Sequence, residues 1–473
     1  MLFNSIVFLF AFLPVLLLLY YLTPNKYRNY TLLVFSLIFY AWGGVSYSLI
    51  LIGSILINYL FVKQIEKNNS LKKNWLIIGL IVNILIIVFF KYLDFLINNI
   101  NVIGSTFSTG FDAIPYQNII LPLGISFFTF QQMSLIWDVY RNENTQKTSL
   151  SNVALYISLF PQLIAGPIVR YNDIVEQIQV RVSSISLFRS GVQRFVLGLF
   201  KKVVIANTCG ELADSIFNHS FELLDTPTAW LGIIAYSLQI YFDFSGYSDM
   251  AIGLGRMFGF KILENFNFPY ISKSIQEFWR RWHISLSTWF RDYVYIPLGG
   301  NRNGTYKTYF NLTLVFLLTG IWHGATWSFV IWGLFHGFFL IMERIGLKKI
   351  LDKLPKGIQW FYAIIVVMIG WVLFRIEIFS EAIIYIVKLF SFENIGSSKV
   401  ISHLNNERLA VLVLALLSSS LFFVKIKEFF DRRNITQSIG TQIMLDIGIV
   451  LMLLLCIFYI NSGSYSPFIY FRF

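Results

Sequence analysis

The sequence predicts an all-α protein that crosses a lipid membrane many times. Of its 473 residues, 56% are hydrophobic and only 13% are charged, whereas water-soluble domains carry roughly a quarter charged residues. So large an apolar fraction cannot be buried in one soluble core, and the mean hydropathy of +0.65 agrees with this. Stretches such as WLIIGLIVNILIIVFF and IQWFYAIIVVMIGWVLF approach the ~20 apolar residues that a spanning helix needs.

Twelve spans account for the apolar stretches along the chain. A further apolar segment, 152–166, is interrupted by Pro161, Gly166 and Pro167, so it is predicted to be re-entrant. If it crossed the membrane instead, every later assignment would invert. The spans are predicted near residues 5–22, 30–44, 47–62, 75–92, 119–137, 191–208, 229–246, 309–322, 326–343, 358–374, 409–425 and 443–460.

Lysine and arginine set the predicted orientation, because loops on the cytoplasmic side are enriched in both. Basic clusters follow the first and third spans, whereas residues 93–118 and 209–228 contain neither Lys nor Arg. The alternation predicts a protein of the cytoplasmic membrane with both termini on the extracytoplasmic side. The net charge of +12 is interpreted as basic cytoplasmic loops and not as a nucleic-acid-binding surface.

The connection 247–308 is unusual because it is too polar for lipid and too aromatic for a free loop. It is predicted to lie on the cytoplasmic surface or to dip into the protein. Irregular backbone is tolerated there where it lines a cavity.

Three of the five histidines, His283, His323 and His336, fall in one part of the chain. An ionisable side chain within a membrane span is costly, which makes function the default hypothesis. His323 and His336 are 13 residues apart, with no cysteine or carboxylate nearby, so no metal is expected. The pattern favours a neutral imidazole that acts as general base on a hydroxyl. A buried histidine with one satisfied hydrogen bond is the structural alternative.

Tryptophans accompany two of these histidines at helical spacing. Trp327 follows His323 by four residues, and Trp332 precedes His336 by four. On a continuous helix each pair would share a face, and the indole would shield the imidazole from lipid.

A carboxylate at the end of one predicted span supports a second class of function. Asp243 and Ser245 lie in FDFSGYSDM, and transporters use such acidic groups for proton or ion coupling. In this hypothesis the protein transports an acyl donor or an anionic solute, with Asp243 as coupling group. The structural alternative pairs Asp243 with Arg280 or Arg281 of the following connection.

Three long motifs resemble one family. FDFSGYSDMAIGLGRMFGF, ENFNFPYISKSIQEFWRRWHISLSTWFRDYVYIPLGGNR and TGIWHGATWSFVIWGLFHG resemble the membrane-bound O-acyltransferases (MBOAT). They are most similar to the bacterial branch that O-acetylates polysaccharides and peptidoglycan and is related to the teichoic acid D-alanylation protein. The resemblance covers roughly residues 90–345. It implies about 12 transmembrane helices, with re-entrant and interfacial helices, around a central funnel. Residues 1–460 would form this single domain.

The resemblance also implies roles for individual residues. The invariant histidine of the family falls on His323 and its second histidine on His283, so both are expected to be catalytic. No bound cofactor is implied. The expected acyl donor is acetyl-CoA from the cytoplasm, and the alternative donor is a carrier protein, as in D-alanylation. Donor or substrate contacts are expected from Trp322, Trp327, Arg280, Arg281, Asp243 and Ser245.

Residues 461–473 are expected to form an extracytoplasmic tail, whose end, FIYFRF, fits the family pattern F-x-Y-x-x-F. By resemblance, Tyr470 accepts the acyl group and presents it to an extracytoplasmic SGNH-hydrolase-like acyltransferase. That partner would modify a cell-surface polysaccharide or peptidoglycan. Phe468, Phe471 and Phe473 would dock the tail in the funnel mouth. Two alternatives remain: an aromatic belt at the membrane interface, and a lipid O-acyltransferase without an extracellular partner.

Overall fold

The structure is a computed structural model that describes residues 1–67, 70–108, 111–117, 119–141, 148–392, 399–433 and 438–463. Within these residues the regular elements are helical, as the sequence predicts. In chain order the α-helices are α1 (Leu13–Leu22), α2 (Arg28–Ala41), α3 (Val45–Lys67), α4 (Lys72–Ile87), α5 (Leu93–Phe107), α6 (Ile125–Tyr140), α7 (Leu150–Ser158), α8 (Phe160–Leu163), α9 (Tyr171–Gln179), α10 (Ile185–Phe200), α11 (Asn207–Phe217), α12 (Thr226–Met257), α13 (Ile275–Arg281), α14 (Ile284–Phe290), α15 (Thr305–His323), α16 (Trp327–Met342), α17 (Lys348–Leu351), α18 (Lys356–Arg375), α19 (Phe379–Phe390), α20 (Val400–His403), α21 (Asn406–Ser419), α22 (Phe422–Arg432) and α23 (Ile439–Asn461).

Wider π-helical turns join several of these helices end to end, and short 3₁₀ turns occupy some connections. The π-helical turns are Phe8–Phe12, Val88–Tyr92, Lys201–Ala206, Arg291–Tyr295 and Glu343–Leu347. The 3₁₀ turns are Asn25–Tyr27, Phe221–Leu223 and Pro269–Ile271.

The number of membrane crossings is only partly settled by the helices. Each of the twelve predicted spans overlaps a helix, but five helical stretches in the described part of the chain are long and apolar enough to cross a bilayer by themselves. The pair α21 and α22, bent by 63°, adds a sixth if it counts as one span. Length and composition therefore do not confirm twelve crossings. The five stretches are Val45–Lys67, Lys72–Phe107, Trp327–Leu351, Lys356–Arg375 and Ile439–Asn461.

Segment 152–166 is broken, as expected from its prolines and glycine. It forms α7 and α8, which contain nine and four residues. At 1.5 Å per residue neither helix can cross a hydrocarbon core of about 30 Å. Most of the side chains are buried in the protein, so the segment enters the fold without spanning it as one helix.

The connection 247–308 dips into the protein. Its first residues continue α12, which runs for 32 residues to Met257. The chain then follows an irregular path past buried Phe260 and Asn265 to the short helices α13 and α14. Two residues on this path, Phe268 and His283, adopt left-handed backbone conformations with φ of 46° and 45°. This irregular segment carries one of the candidate catalytic histidines.

The centre of the fold is the crossing of α10 and α12, which depends on facing glycines. A Cβ atom on Gly198 would lie 2.5 Å from the carbonyl oxygen of Gly246, and one on Gly191 would lie 2.7 Å from that of Gly253. Any larger side chain would push the backbones apart. Small residues make such close contacts between helices in membranes. A second close crossing, at Gly320 and Gly333, joins α15 to α16.

Candidate active site

His323 is the last residue of α15, and its side chain is buried among aromatic rings. The imidazole centroid lies 4.9 Å from the ring of Trp332 and 5.2 Å from that of Phe374. Trp332 is on α16 and Phe374 is on α18, so three helices meet around this side chain. A polar ring in such a setting has few alternative orientations, which is a requirement for a positioned proton acceptor.

Trp322 packs against both of the histidines His323 and His283. Its ring centroid is 4.9 Å from that of His323 and 6.0 Å from that of His283. All three side chains are buried. The structure therefore brings together, around one indole, two histidines that are 40 residues apart in the sequence.

Asn265 determines which ring nitrogen of neutral His283 carries the hydrogen. Asn265 Oδ1 accepts a hydrogen bond from the backbone N–H of Ser285 (3.1 Å), which fixes this amide oxygen as an acceptor. His283 Nδ1 lies 3.2 Å from the same oxygen, so Nδ1 must donate. The neutral imidazole then carries its hydrogen on Nδ1 and its lone pair on Nε2. His283 is thus held as a hydrogen-bond acceptor or base at Nε2.

Asn265 is a residue that sequence reasoning missed, although it lies within one of the motifs that carry the family resemblance. Replacing Asn265 by alanine is expected to lower the rate of acyl transfer by about 10²-fold, because the His283 tautomer is no longer fixed. A matched comparison is Ser248→Ala, since Ser248 accepts from the other end of the Asn265 amide and its loss leaves Asn265 Oδ1 in place beside His283. The single-turnover rates of acyl transfer in the two variants test this role of Asn265. Equal rates in both would contradict the role assigned to Asn265.

An apolar cavity of about 620 Å³ is lined in part by the indole of Trp322. Its walls come from α4 to α6 and from α14 to α16, and they are almost entirely hydrocarbon and aromatic. Phe130 and Trp289 stack in one wall with ring centroids 3.9 Å apart. Trp322 contacts both this cavity and the two histidines. A molecule bound in the cavity would therefore lie against the indole, close to the site.

His336, the third histidine of this region, is fully enclosed by aromatic rings. The ring centroids of Trp332 and Trp279 lie 5.0 and 5.2 Å from that of its imidazole. The expected contact between Trp332 and His336 is thus confirmed. Neither imidazole nitrogen has a hydrogen-bond partner among the described residues. His336 lies behind Trp332, which also packs on His323, so it supports the wall of the site.

The expectation that Trp327 shields His323 is wrong. Helix α15 ends at His323, Gly324 has an extended backbone, and Trp327 begins the next helix. The two residues therefore do not share a helix face. Trp327 is 61% exposed and donates from Nε1 to Asn99 Oδ1 at 3.0 Å. It does line the apolar cavity together with Trp322. Trp327 therefore lies near the site as part of the cavity wall.

The two arginines proposed to contact the donor lie at the end of α13. Arg280 is exposed. Arg281 is paired with Glu277 at 2.9 Å and also donates to the carbonyl oxygen of Asn267. Arg280 is the one of the two whose charge faces outward.

The pairing of Asp243 with Arg280 or Arg281 is also wrong. Asp243 forms an ion pair of 2.6 Å with Lys202, and both side chains are almost completely buried. Lys202 belongs to the π-helical turn Lys201–Ala206, which follows α10. Asp249, six residues later on α12, pairs with Arg194 and Lys201 at 2.6 and 2.7 Å. The partners of these carboxylates thus come from α10 and the turn that follows it, and not from the connection after α12, where they were predicted.

Ser245 is buried on α12, and its hydroxyl has no hydrogen-bond partner in the described part of the chain. The other expected site residues, Tyr470, Phe468, Phe471 and Phe473, lie outside the described residues. The described helix nearest to them in sequence, α23, packs along α10, where Arg189 and Asp446 pair at 2.6 Å.

The chain is similar to known proteins along most of its length. The sequence model of the MBOAT, membrane-bound O-acyltransferase family, matches residues 139–380. The probable alginate O-acetylase AlgI of Pseudomonas putida is 43% identical, with 100% of both chains covered. The peptidoglycan O-acetyltransferase of Helicobacter pylori is 41% identical over 81% of this chain and 78% of the relative. The teichoic acid D-alanyltransferase of Bacillus subtilis is 32% identical over 56% of this chain and 70% of the relative.

Proposed function

The chain belongs to the membrane-bound O-acyltransferase family, and we propose that it moves acetyl groups from cytoplasmic acetyl-CoA across the membrane to an extracytoplasmic acceptor. As a member of this family it is a membrane O-acyltransferase. The relatives that match it over most of its length are named for O-acetylation of alginate or peptidoglycan. Acetyl is therefore the proposed acyl group, and a polysaccharide or peptidoglycan of the cell surface is the proposed final acceptor.

The single observation that supports this function best is that the buried imidazoles of His323 and His283 both pack against the indole of Trp322. A buried imidazole that can accept a proton is suited to activate a hydroxyl, which is a poor nucleophile until it loses its proton. His323 is the proposed general base. His283 is held by Asn265 with its Nε2 lone pair available, and it is proposed to assist His323 as a second proton acceptor.

The proposed acceptor in the first step is Tyr470. His323 removes the phenolic proton, and Tyr470 Oη attacks the thioester carbonyl of acetyl-CoA. The C–S bond breaks, the acetyl group remains on Oη, and the proton passes from His323 to the departing thiolate of CoA. A phenol is a better leaving group than a sugar hydroxyl, so acetyl-tyrosine is activated for onward transfer. An SGNH-hydrolase-like partner outside the membrane would carry out that transfer, which requires that residues 461–473 lie on the extracytoplasmic side.

The phosphates of acetyl-CoA would meet positive charge at the end of α13. Arg280 is exposed there, whereas Arg281 is already paired with Glu277. A cation at the mouth of a site raises the local concentration of an anionic substrate. Arg280 is therefore proposed as the donor contact of the two arginines. Phe468, Phe471 and Phe473 are proposed to place Tyr470 in the funnel.

Two other functions give different expectations. In D-alanyl transfer a charged carrier protein replaces acetyl-CoA as donor. In a transporter, Asp243 would gain and lose its charge during each cycle. The ion pair of Asp243 with Lys202, buried between α12 and the turn after α10, gives this carboxylate a structural role and does not favour the transporter.

The donor can be tested by supplying the purified protein, in lipid nanodiscs, with acetyl-CoA and measuring the free thiol that is released. A burst of about one CoA per chain is expected, because one tyrosine accepts one acetyl group and no partner removes it. A carrier protein charged with D-alanine serves as the comparison donor. Discharge of the carrier with no release of CoA would contradict the acetyl-CoA proposal in favour of D-alanylation. Consumption of neither donor would favour the transporter.

A further inference from the structure

Helix α15 ends abruptly at the candidate general base. Gly324, directly after His323, has an extended backbone with φ of −172° and ψ of 159°. The last four carbonyl oxygens of a helix have no partner within it. In the interior of a membrane protein there is little water to satisfy them, so other protein groups must do so. The residues that carry these carbonyls include Trp322 and His323 themselves.

Two consecutive side chains from a distant part of the chain bind three of these oxygens. Lys91 Nζ lies 2.5 Å from the carbonyl oxygen of Trp322 and 3.4 Å from that of His323. Tyr92 Oη donates to the carbonyl oxygen of Ile321 at 2.5 Å. The end of α15 is therefore held at residues 321, 322 and 323 by one neighbouring helix.

Lys91 lies where a charged side chain is energetically unfavourable. Lys91 lies within the continuous apolar helical stretch Lys72–Phe107, and a charged side chain in such a stretch is a marker of function. Its hydrogen-bond acceptors among the described residues are neutral: the two carbonyl oxygens and Ser126 Oγ at 3.5 Å. Its ammonium also lies 5.9 Å from the ring centroid of Trp322. A cation at a helix C-terminus is favoured because the helix dipole is negative there.

The local geometry of the neighbouring helix also points to a specific role. Lys91 and Tyr92 are the last two residues of the π-helical turn Val88–Tyr92, which interrupts the α-helical stretch. Such wider turns are rare and occur frequently at functional sites. This turn lies directly beside the end of α15, where its last two side chains reach three successive carbonyl oxygens.

We propose that Lys91 and Tyr92 are positioning residues of the acyl-transfer site, which anchor the last turn of α15 and thereby orient His323. The inference rests on the proposed function for its catalytic consequence, because an anchored His323 matters to rate only if His323 is the base. The anchor itself is a statement about the helix end and can be measured without any turnover. Neither residue is assigned a contact with substrate.

Hydrogen–deuterium exchange of the full-length protein in nanodiscs measures the anchor directly. In Lys91→Met the backbone amides of residues 318–326 are expected to exchange about 10-fold faster than in the wild-type protein, since the last turn frays without its cap. Tyr92→Phe, which removes one hydroxyl, should accelerate the same segment less. Lys73→Met, an exposed lysine of the same helical stretch, is the matched control and should leave this segment unchanged. Exchange in this segment at the wild-type rate in both Lys91→Met and Tyr92→Phe would overturn the proposal.

Acetyl transfer from acetyl-CoA then tests the positioning role. In Lys91→Met the kcat is expected to fall by about 10²-fold while KM stays within about 2-fold, because a misplaced base affects the chemical step and not donor binding. Lys91→Arg, which keeps the charge and the donors, should recover most of the rate. If KM and kcat both change in Lys91→Met, and Lys91→Arg does not recover the rate, then the two residues have only a structural role and the proposal is overturned. If Lys91→Met does not fold, Tyr92→Phe decides by the same criterion.

The two proposals fail in different ways. A wild-type protein that does not use acetyl-CoA contradicts the proposed function, and the exchange measurement still decides the anchor. A wild-type protein that is active, with variants that are equally active and equally protected, contradicts the anchor alone.

Discussion

Replacing His323 by alanine is expected to lower the rate of acetyl transfer by about 10³-fold. General base catalysis typically contributes 10²–10⁴-fold, and His323, the proposed base, is buried beside Trp322 and Trp332. Single-turnover release of CoA from acetyl-CoA measures the effect. Binding of the donor should change little, so the loss should appear in the rate and not in the concentration dependence.

The control for this variant is His403→Ala. His403 lies on α20, where Nδ1 is 3.2 Å from Ser215 Oγ, and among the described residues its ring packs against His219 and not against His323, His283 or Trp322. Its replacement should leave the rate of transfer within about 2-fold of the wild-type value, as for a surface change away from the reacting groups. A His323→Ala protein that folds with a normal melting temperature and transfers acetyl at the wild-type rate would contradict the role of His323.

Replacing Tyr470 by phenylalanine is expected to abolish O-acetylation of the cell-surface polymer. The change removes one oxygen atom, and that oxygen is the proposed nucleophile and carrier of the acetyl group. Tyr465→Phe is a matched control in the same tail, because it removes a hydroxyl five residues earlier. Ester-linked acetate in polymer isolated from complemented cells measures the outcome. Normal acetylation in Tyr470→Phe would mean that the acetyl group reaches the polymer by another route.

The sequence predicted the helices well because apolar stretches carry a strong signal, but it misplaced some of their ends. The span predicted at 229–246 belongs to a helix that continues to Met257. That span was predicted to end just after Asp243, and Asp249 lies beyond its predicted end. They are tolerated because Lys202, Arg194 and Lys201 neutralise them from the adjacent helix. Such compensation is non-local, and no local pattern reports it.

The same reason explains the helix that begins at Lys72. The predicted span ended at residue 92, directly after Lys91. The structure continues the helical stretch to Phe107, and Lys91 is satisfied by the carbonyl oxygens at the end of α15. An ionisable residue inside an apolar helix was the signal that could have identified this position.

For the proposed site, the sequence singled out the candidate histidines but not the side chains that hold them in place. His323, His283 and Trp322 were predicted, and the structure brings them together. Asn265, Lys91 and Tyr92 were missed because they act on residues that are between 18 and 232 positions away. Trp327 was misplaced because spacing by four residues brings two side chains together only on a continuous helix, and α15 ends at His323, directly before Gly324.

The covalent relay through Tyr470 is tested most directly by mass spectrometry of the purified protein after incubation with acetyl-CoA. The account predicts an increment of about 42 Da on the C-terminal peptide of the wild-type protein, which is absent in both Tyr470→Phe and His323→Ala. An unmodified C-terminal peptide in a wild-type sample that has released CoA would contradict it, because the acetyl group would then have left the donor without passing through Tyr470.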